Sequence, residues 1–294
     1  MYIKEGDRGK DVSEVQKILS LLGYDLIIDG GFGAKTTRSI RSFQKKNGLE
    51  MDGVVGNNTY NALKASLKRG AKETGGANVK EYGDLKVSKH ALDPTQYIKQ
   101  KFPKSQVYIH FTAGSPSAKN VISWWDSDDP RIATAFVIDG NDGSIVEAFS
   151  PDYWSYHLGI KGTRGKVDKH SIGIEICNWG PITKKGDKFY TYVNKEISAD
   201  QVFELDTPHR GYKYYHKCTA AQLENVEKLL IYLAKTYDIP VQDSYGMDWF
   251  EYQESVIKDI TPGIWTHTTV RKDKYDMAPQ PELIAMLNGL KSKL

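Results

Sequence analysis

"SQVYIHFTAG" (residues 105–114) is the stretch on which the fold turns. It is short, rich in β-branched and aromatic residues, and closed by Ala-Gly, which is how a β-strand reads in sequence. Strand alternation puts His110 on the same face as Tyr108 and opposite to Ile109. Four more stretches read the same way: "IATAFVID" (132–139), "SIVEAF" (144–149), "HSIGIEICN" (170–178) and "GIWTHTTV" (263–270). "GNDG" at 140–143 reads as the hairpin turn between the second and third strands.

Helices alternate with these strands. "PSAKNVISWWDS" (116–127) is one. "TAAQLENVEKLLIYLAKTY" (219–237) opens with a capping box, Thr219 and Gln222, and spaces Leu223, Val226, Leu230, Leu233 and Tyr237 at helical intervals. "PELIAMLNGLKS" (281–292) starts with Pro near its first turn. The expected class is α/β, with a mixed central sheet flanked by helices. Residues 181–215, rich in Tyr, Lys and Gly, fit this scheme poorly and read as a surface insertion such as a hairpin.

The first part of the chain differs. "DGGFGAKT" (29–36) recurs as "DGVVGNNT" (52–59), both reading Asp-Gly-x-apolar-Gly-x-x-Thr. Each is a tight turn leading into a helix start. Before the first turn, "DVSEVQKILSLLGY" lines up Val12, Val15, Leu19 and Leu22, with Gly23 at a C-cap position; between the turns, "TTRSIRSFQKKNGL" lines up Ile40 and Phe43 and stops at Gly48. A small three-helix domain over 1–68 follows. Residues 69–90 lose the periodicity and gather Gly, Lys and Glu, a linker composition, and a second domain is expected over 91–294.

Composition agrees with two packed domains: 294 residues, 39 % apolar and 11 % aromatic. A net charge of +3 is too small to suggest a dedicated nucleic-acid binder. Residues 1–70 hold twelve Lys/Arg against eight Asp/Glu, so the positive excess lies there, suited to a polyanionic surface or to a solvated helix face. Cys177 and Cys218 lie far apart without CxxC spacing, which implies neither a disulfide framework nor a zinc ribbon. The start, "MYIKEGDRGK", lacks an apolar h-region, and no long apolar run occurs, so neither a signal peptide nor membrane insertion is expected.

His110, His157 and His267 stand at strand ends or adjoining loops, where sites are commonly built. Two neutral imidazoles and a carboxylate, with one position left to water, make a zinc site of catalytic type. The stretch "HTTVRKDKYDMAPQ" sets Asp276 nine residues after His267, a weak signal alone, with Asp273 as a competing carboxylate.

Residues 5–65, on "GDRGKDVSEVQKILSLLGY", "DGGFGAKTTRSIRSFQ" and "DGVVGNNTYNAL", resemble the peptidoglycan-binding domain of many wall-cleaving enzymes. Residues 100–290, apart from the insertion, resemble the zinc-dependent N-acetylmuramoyl-L-alanine amidases, whose fold is shared with peptidoglycan recognition proteins. That resemblance rests on "VYIHFTAG", "FVIDGNDGSIVEAF", "WSYHLG", "SIGIEICN" and "HTTVRKDKYDMAPQ", in the family's order. It implies Zn2+ bound by His110, His267 and Asp276, with Glu175 as general base and Lys274 as the cation that stabilises the oxyanion. It also places His157 along the substrate groove. The chain departs from many relatives at Thr134-Ala135-Phe136, where they carry a His or Tyr; Tyr190 of the insertion is a candidate substitute. Trp154, Trp179 and Trp249 are candidates for stacking on sugars, core packing being their commoner role.

The resemblance implies bacterial peptidoglycan as partner and substrate, and a phage endolysin kept in the host cytoplasm until released to the wall. The oligomeric state is not implied. Rival readings are a zinc D-alanyl carboxypeptidase or endopeptidase, for which His157 and Asp168 have the wrong spacing, and a non-catalytic peptidoglycan receptor, which typically lacks a zinc ligand.

Overall fold

The computed structural model describes residues 2–22, 24, 26, 28–73, 80–82, 85–114, 116–127 and 131–294. The chain divides into two compact units, Met1–Asn78 with Ile122–Asp129, and Val79–Val121 with Pro130–Leu294.

The first unit contains α1 (Lys10–Leu21), α2 (Ala34–Lys46) and α3 (Asn57–Glu73). Its core gathers Val12, Val15, Leu19, Ile40, Phe43 and Leu63, the apolar faces that helical spacing picked out. The repeated turns have a common support. Gln16 Nε2 donates to Asp29 Oδ1 (2.9 Å) and Gly31 O (2.9 Å), while its Oε1 accepts from Gly30 N (2.9 Å). Gln44 Nε2 donates to Asp52 Oδ1 (2.7 Å), Val54 O (2.9 Å) and Thr59 Oγ1 (3.1 Å), and its Oε1 accepts from Gly53 N (2.9 Å). Each Asp-Gly turn is therefore closed from inside by a buried glutamine. Gly48 takes a left-handed φ of 65° just past α2, as a helix stop requires. Gly23, expected to stop the first helix, lies outside the described residues.

The second unit holds β1 (Lys80–Tyr82), β2 (Leu85–Lys89), β3 (Gln106–Phe111), α4 (Ala118–Ser127, divided between the units), β4 (Phe136–Ile138), β5 (Ile145–Glu147), α5 (Lys166–Lys169) and β6 (Ser171–Ile176). There follow β7 (Pro181–Lys185), β8 (Lys188–Tyr190), β9 (Glu196–Ile197), β10 (Val202–His209), β11 (Tyr212–His216) and α6 (Ala220–Tyr237). The last elements are α7 (Glu254–Lys258), β12 (Gly263–Thr266), α8 (His267–Val270) and α9 (Pro281–Gly289). A seven-stranded mixed sheet has the order β1-β2-β5-β4-β6-β3-β12, parallel except at β1/β2 and β4/β5. All six residues of β3, paired on both sides by parallel strands, are buried, as expected of a parallel strand covered on both faces. α6 has both halves of its capping box, Thr219 and Gln222, and buries Leu223, Val226, Leu229, Leu230 and Leu233.

Three expectations need correction. The stretch assigned to a linker is partly structured: α3 runs to Glu73, and 80–82 and 85–89 are strands of the main sheet. β2 buries only Leu85 and Val87 among lysines, so its composition hid its alternation. The insertion is a sheet of its own, order β10-β11-β7-β8-β9, with Ile182, Ile197 and Val202 at its centre. Strand 263–270 ends at Thr266, and His267 opens a short helix. There a capping box between Thr266 and Thr269 outweighs the β-branched composition.

Candidate metal centre

Register brings the site residues together. His110 in β3 sits directly beside Glu175 in β6, which neighbours Val137 in β4. On the other side Ile109 pairs with Thr266, so β12 ends level with His110 and delivers His267 as the next residue. Partners across a parallel ladder share a face, so one row at the carboxyl ends of the strands carries His267, His110 and Glu175. Such ends are where α/β sheets place their sites.

The loop after α8 returns Asp276 to this row, with Thr268 N donating to Asp276 O (3.1 Å). His110 Nδ1 and His267 Nδ1 lie 3.1 Å apart, and Asp276 Oδ2 lies 3.2 Å and 2.9 Å from them. All three residues are buried, and their donor atoms fall within 4.8 Å of one another. Asp273 is absent from this group because both of its carboxylate oxygens are held by Arg271, at 2.7 Å and 2.6 Å.

The tautomers can be assigned from partners that only accept or only donate. His267 Nε2 faces Leu158 O (2.9 Å), a carbonyl, so that nitrogen carries the proton and Nδ1 keeps its lone pair. Ser171 Oγ donates to Asp168 O (3.3 Å), His157 Nε2 donates to Ser171 Oγ (2.8 Å), and His110 Nε2 donates to His157 Nδ1 (3.0 Å). His110 Nδ1 then also keeps its lone pair. Three acceptors facing one another at about hydrogen-bond distance repel unless a cation lies among them, so the donor set fits a metal ion.

Electrostatics point the same way. Burial, then the neighbouring His267, lower His110 to about 4 and favour the neutral imidazole a metal requires. Burial alone would raise Asp276, but the two histidines bring it below the ordinary carboxylate range. Glu175, half-buried and unbonded among the described residues, is pushed well above its usual range by burial and then by Asp276, with Lys274 acting against them. The half-buried Lys274 side chain has no hydrogen-bond or ion-pair partner among the described residues, and its charge bears on both Glu175 and His110.

His157 contacts a ligand ring. It is buried behind His110, on the ring edge opposite the metal position. Asp168 Oδ1 accepts from His157 N and Leu158 N, both at 3.0 Å, so it anchors the backbone that supports His267 rather than binding metal.

A family model described as N-acetylmuramoyl-L-alanine amidase matches residues 100–280, more than half of the chain, and one described as a peptidoglycan binding domain matches residues 8–63. The chain belongs to the N-acetylmuramoyl-L-alanine amidase family. It is 40 % identical over 96 residues to the N-acetylmuramoyl-L-alanine amidase CwlA of Bacillus subtilis, covering 32 % of this chain and 34 % of that one. It is 44 % identical over 62 residues to a spore cortex-lytic enzyme of Oceanobacillus iheyensis, covering 21 % and 22 %. The chain thus spans about a third or less of the length of these curated relatives. The solved structure of the PlyG catalytic domain is similar at 15 % identity and a TM-score of 0.44, over 71 % of this chain and 94 % of that one.

The other candidates in this amidase-family chain lie as follows. Trp154 and Trp249 are buried, and Trp249 Nε1 donates to Ile264 O (2.7 Å). Trp179 is half-buried beside Tyr192. Tyr190 bonds Glu196 within the insert sheet (3.4 Å), and Thr134 Oγ1 donates to Phe136 O (2.9 Å). Sequence reasoning missed Ser171 as a support of the centre and saw Asp168 only as a rival ligand. Their visible signal is the glycine-rich return "HLGIKGTRGKVDKHS", where Gly159, Gly162 and Gly165 all take positive φ.

Proposed function

We propose that the chain hydrolyses the amide between N-acetylmuramic acid and L-alanine in bacterial peptidoglycan, using one zinc ion held by His110, His267 and Asp276. The observation that carries this reading is the convergence of two imidazole Nδ1 atoms and a carboxylate oxygen within 4.8 Å. Bound there, zinc would supply Lewis-acid polarisation and a water of lowered pKa. Glu175, on the adjoining strand, takes a proton from the attacking water and hands it to the leaving nitrogen, a task its raised affinity for protons suits. Lys274 stabilises the oxygen that becomes negative as the carbonyl turns tetrahedral. His157 keeps the His110 ring oriented.

The helical module holds the enzyme on the polymer and raises its local concentration there. In this reading the binding module extends through α3 and the cutting module starts with the strands at residue 80. The pairing suits a wall-lytic enzyme of the endolysin kind, and no helix among the described residues is long and apolar enough to cross a membrane. Metal analysis of two variants tests the assignment. His267→Ala should lose both zinc and lysis, and Glu175→Gln should keep zinc and lose turnover. A zinc-loaded, fully active Glu175→Gln would remove Glu175 from the mechanism.

A further inference from the structure

Among the described residues the insert sheet contributes no ligand to the metal centre, yet it is fastened beside it: Tyr212 packs edge-on against Tyr275 of the metal loop (5.6 Å between ring centroids), and the turn before Tyr212 adds a polar hold. β10 and β11 are joined by Arg210 and Gly211, with φ of 51° and 87°, and His209 pairs with Tyr212 across them. Two central residues at positive φ make a type I′ turn, whose first position favours Asn, Asp or Gly. An arginine there carries backbone strain that those residues would not. Its side chain accounts for its presence. Nη1 donates to Lys272 O (3.1 Å), and Nη2 donates to Phe250 O (3.1 Å) and Thr268 O (3.3 Å). The guanidinium is mostly covered, with Glu251 Oε2 at 3.6 Å.

Two of those carbonyls, Thr268 and Lys272, belong to the segment that carries the ligands His267 and Asp276. Thr268 follows the ligand His267, and its own N–H donates to the carbonyl of the ligand Asp276 (3.1 Å). Lys272 lies two residues before Lys274. One planar fork therefore ties the start of the metal loop, at Thr268, to its middle, at Lys272, and both to Phe250, as guanidinium geometry allows and an ammonium does not.

We propose that the insert is a brace for the metal loop and that Arg210 is its positioning residue, keeping His267 and Asp276 at the spacing an ion needs. Metal affinity then depends on a hairpin that donates no ligand. This rests on the zinc reading of His110, His267 and Asp276.

The decisive variant is Arg210→Asn, because Asn-Gly is a favoured type I′ pair and the hairpin should survive while the fork is lost. Its zinc affinity, measured by chelator competition on the full chain, should fall about tenfold, as loss of outer support to metal ligands typically does. The visible spectrum of the cobalt-substituted protein should change with it. Arg210→Lys, which keeps the charge without the fork, should show the same loss, and Lys213→Ala on the same hairpin should show none. Unchanged zinc affinity and cobalt spectrum in Arg210→Asn, with near-UV circular dichroism intact, would overturn the brace. If that variant loses its near-UV signal, unchanged affinity in Arg210→Lys overturns it instead. A wild-type chain that takes up no zinc would sink the site reading and the brace together, whereas a zinc-binding wild type beside an unaffected Arg210 variant sinks the brace alone.

Discussion

Replacing His157 by Leu separates two roles for that residue. In the metal-loaded state His110 must keep its proton on Nε2, where His157 Nδ1 accepts it at 3.0 Å. Leucine fills the space but offers no acceptor, so a buried N–H is left unpaired at about 1–3 kcal/mol. The metal-free state can escape this cost. There the His110 proton can move to Nδ1 and be donated to Asp276 Oδ2, 3.2 Å away. The penalty therefore falls on the loaded state, and zinc should bind roughly 10- to 100-fold more weakly, in line with losses at other residues that support metal ligands. Competition against a chromogenic chelator measures this directly. His157→Gln should recover most of the affinity, because its amide oxygen can accept from His110 while its NH2 donates to Ser171. Unchanged zinc affinity in His157→Leu, with KM alone raised, would refute the reasoning and return His157 to the substrate groove.

Three further outcomes follow from the packing and charges. Gln44→Ala removes four hydrogen bonds around the second Asp-Gly turn and should destabilise the helical module by about 2–4 kcal/mol; denaturant unfolding of the full chain reads this, and exposed Lys45→Ala should leave it unmoved. Gly173→Ala would put a methyl 2.7 Å from Thr134 Cγ2 and 3.0 Å from His157 Nδ1, so it should cost about 1–3 kcal/mol in thermal unfolding and weaken zinc binding as well. In chelator-treated protein, His110 at about 4 against an ordinary 6.5 means the unfolded chain binds the extra proton first. Its contribution is complete above pH 6.5 and lost as pH falls through about 4, so denaturant titrations across that window should show a slope that shrinks in His110→Leu.

Legibility followed from how local each signal was. α6 was readable end to end, because its capping box and apolar stripe lie within one segment. The central strands were readable in their middles, and the register of β3 against β6 then placed Glu175 beside His110. His267 was found while its surroundings were misread. "HTTV" has strand-forming residues, but the hydroxyls of Thr266 and Thr269 cap a helix instead. β2 was lost because two buried residues among lysines look like linker. The insert's turn at Arg210-Gly211 was hidden because Arg is an unusual occupant of its position. His157 was legible as part of the site, whereas its ring contacts to His110 and Ser171 are encoded by no spacing. Spacing alone left Asp276 and Asp273 open and the resemblance chose Asp276; the physical reason, an arginine that claims Asp273, is visible only in the structure.

The most direct test is end-group analysis of purified peptidoglycan digested by the full chain. With zinc, free L-alanine amino termini should accumulate without new reducing sugar ends; a chelator should stop their release, and added zinc should restore it. New reducing ends, cleavage confined to bonds within the stem peptide, or undiminished release in a zinc-free, chelated protein would contradict the account.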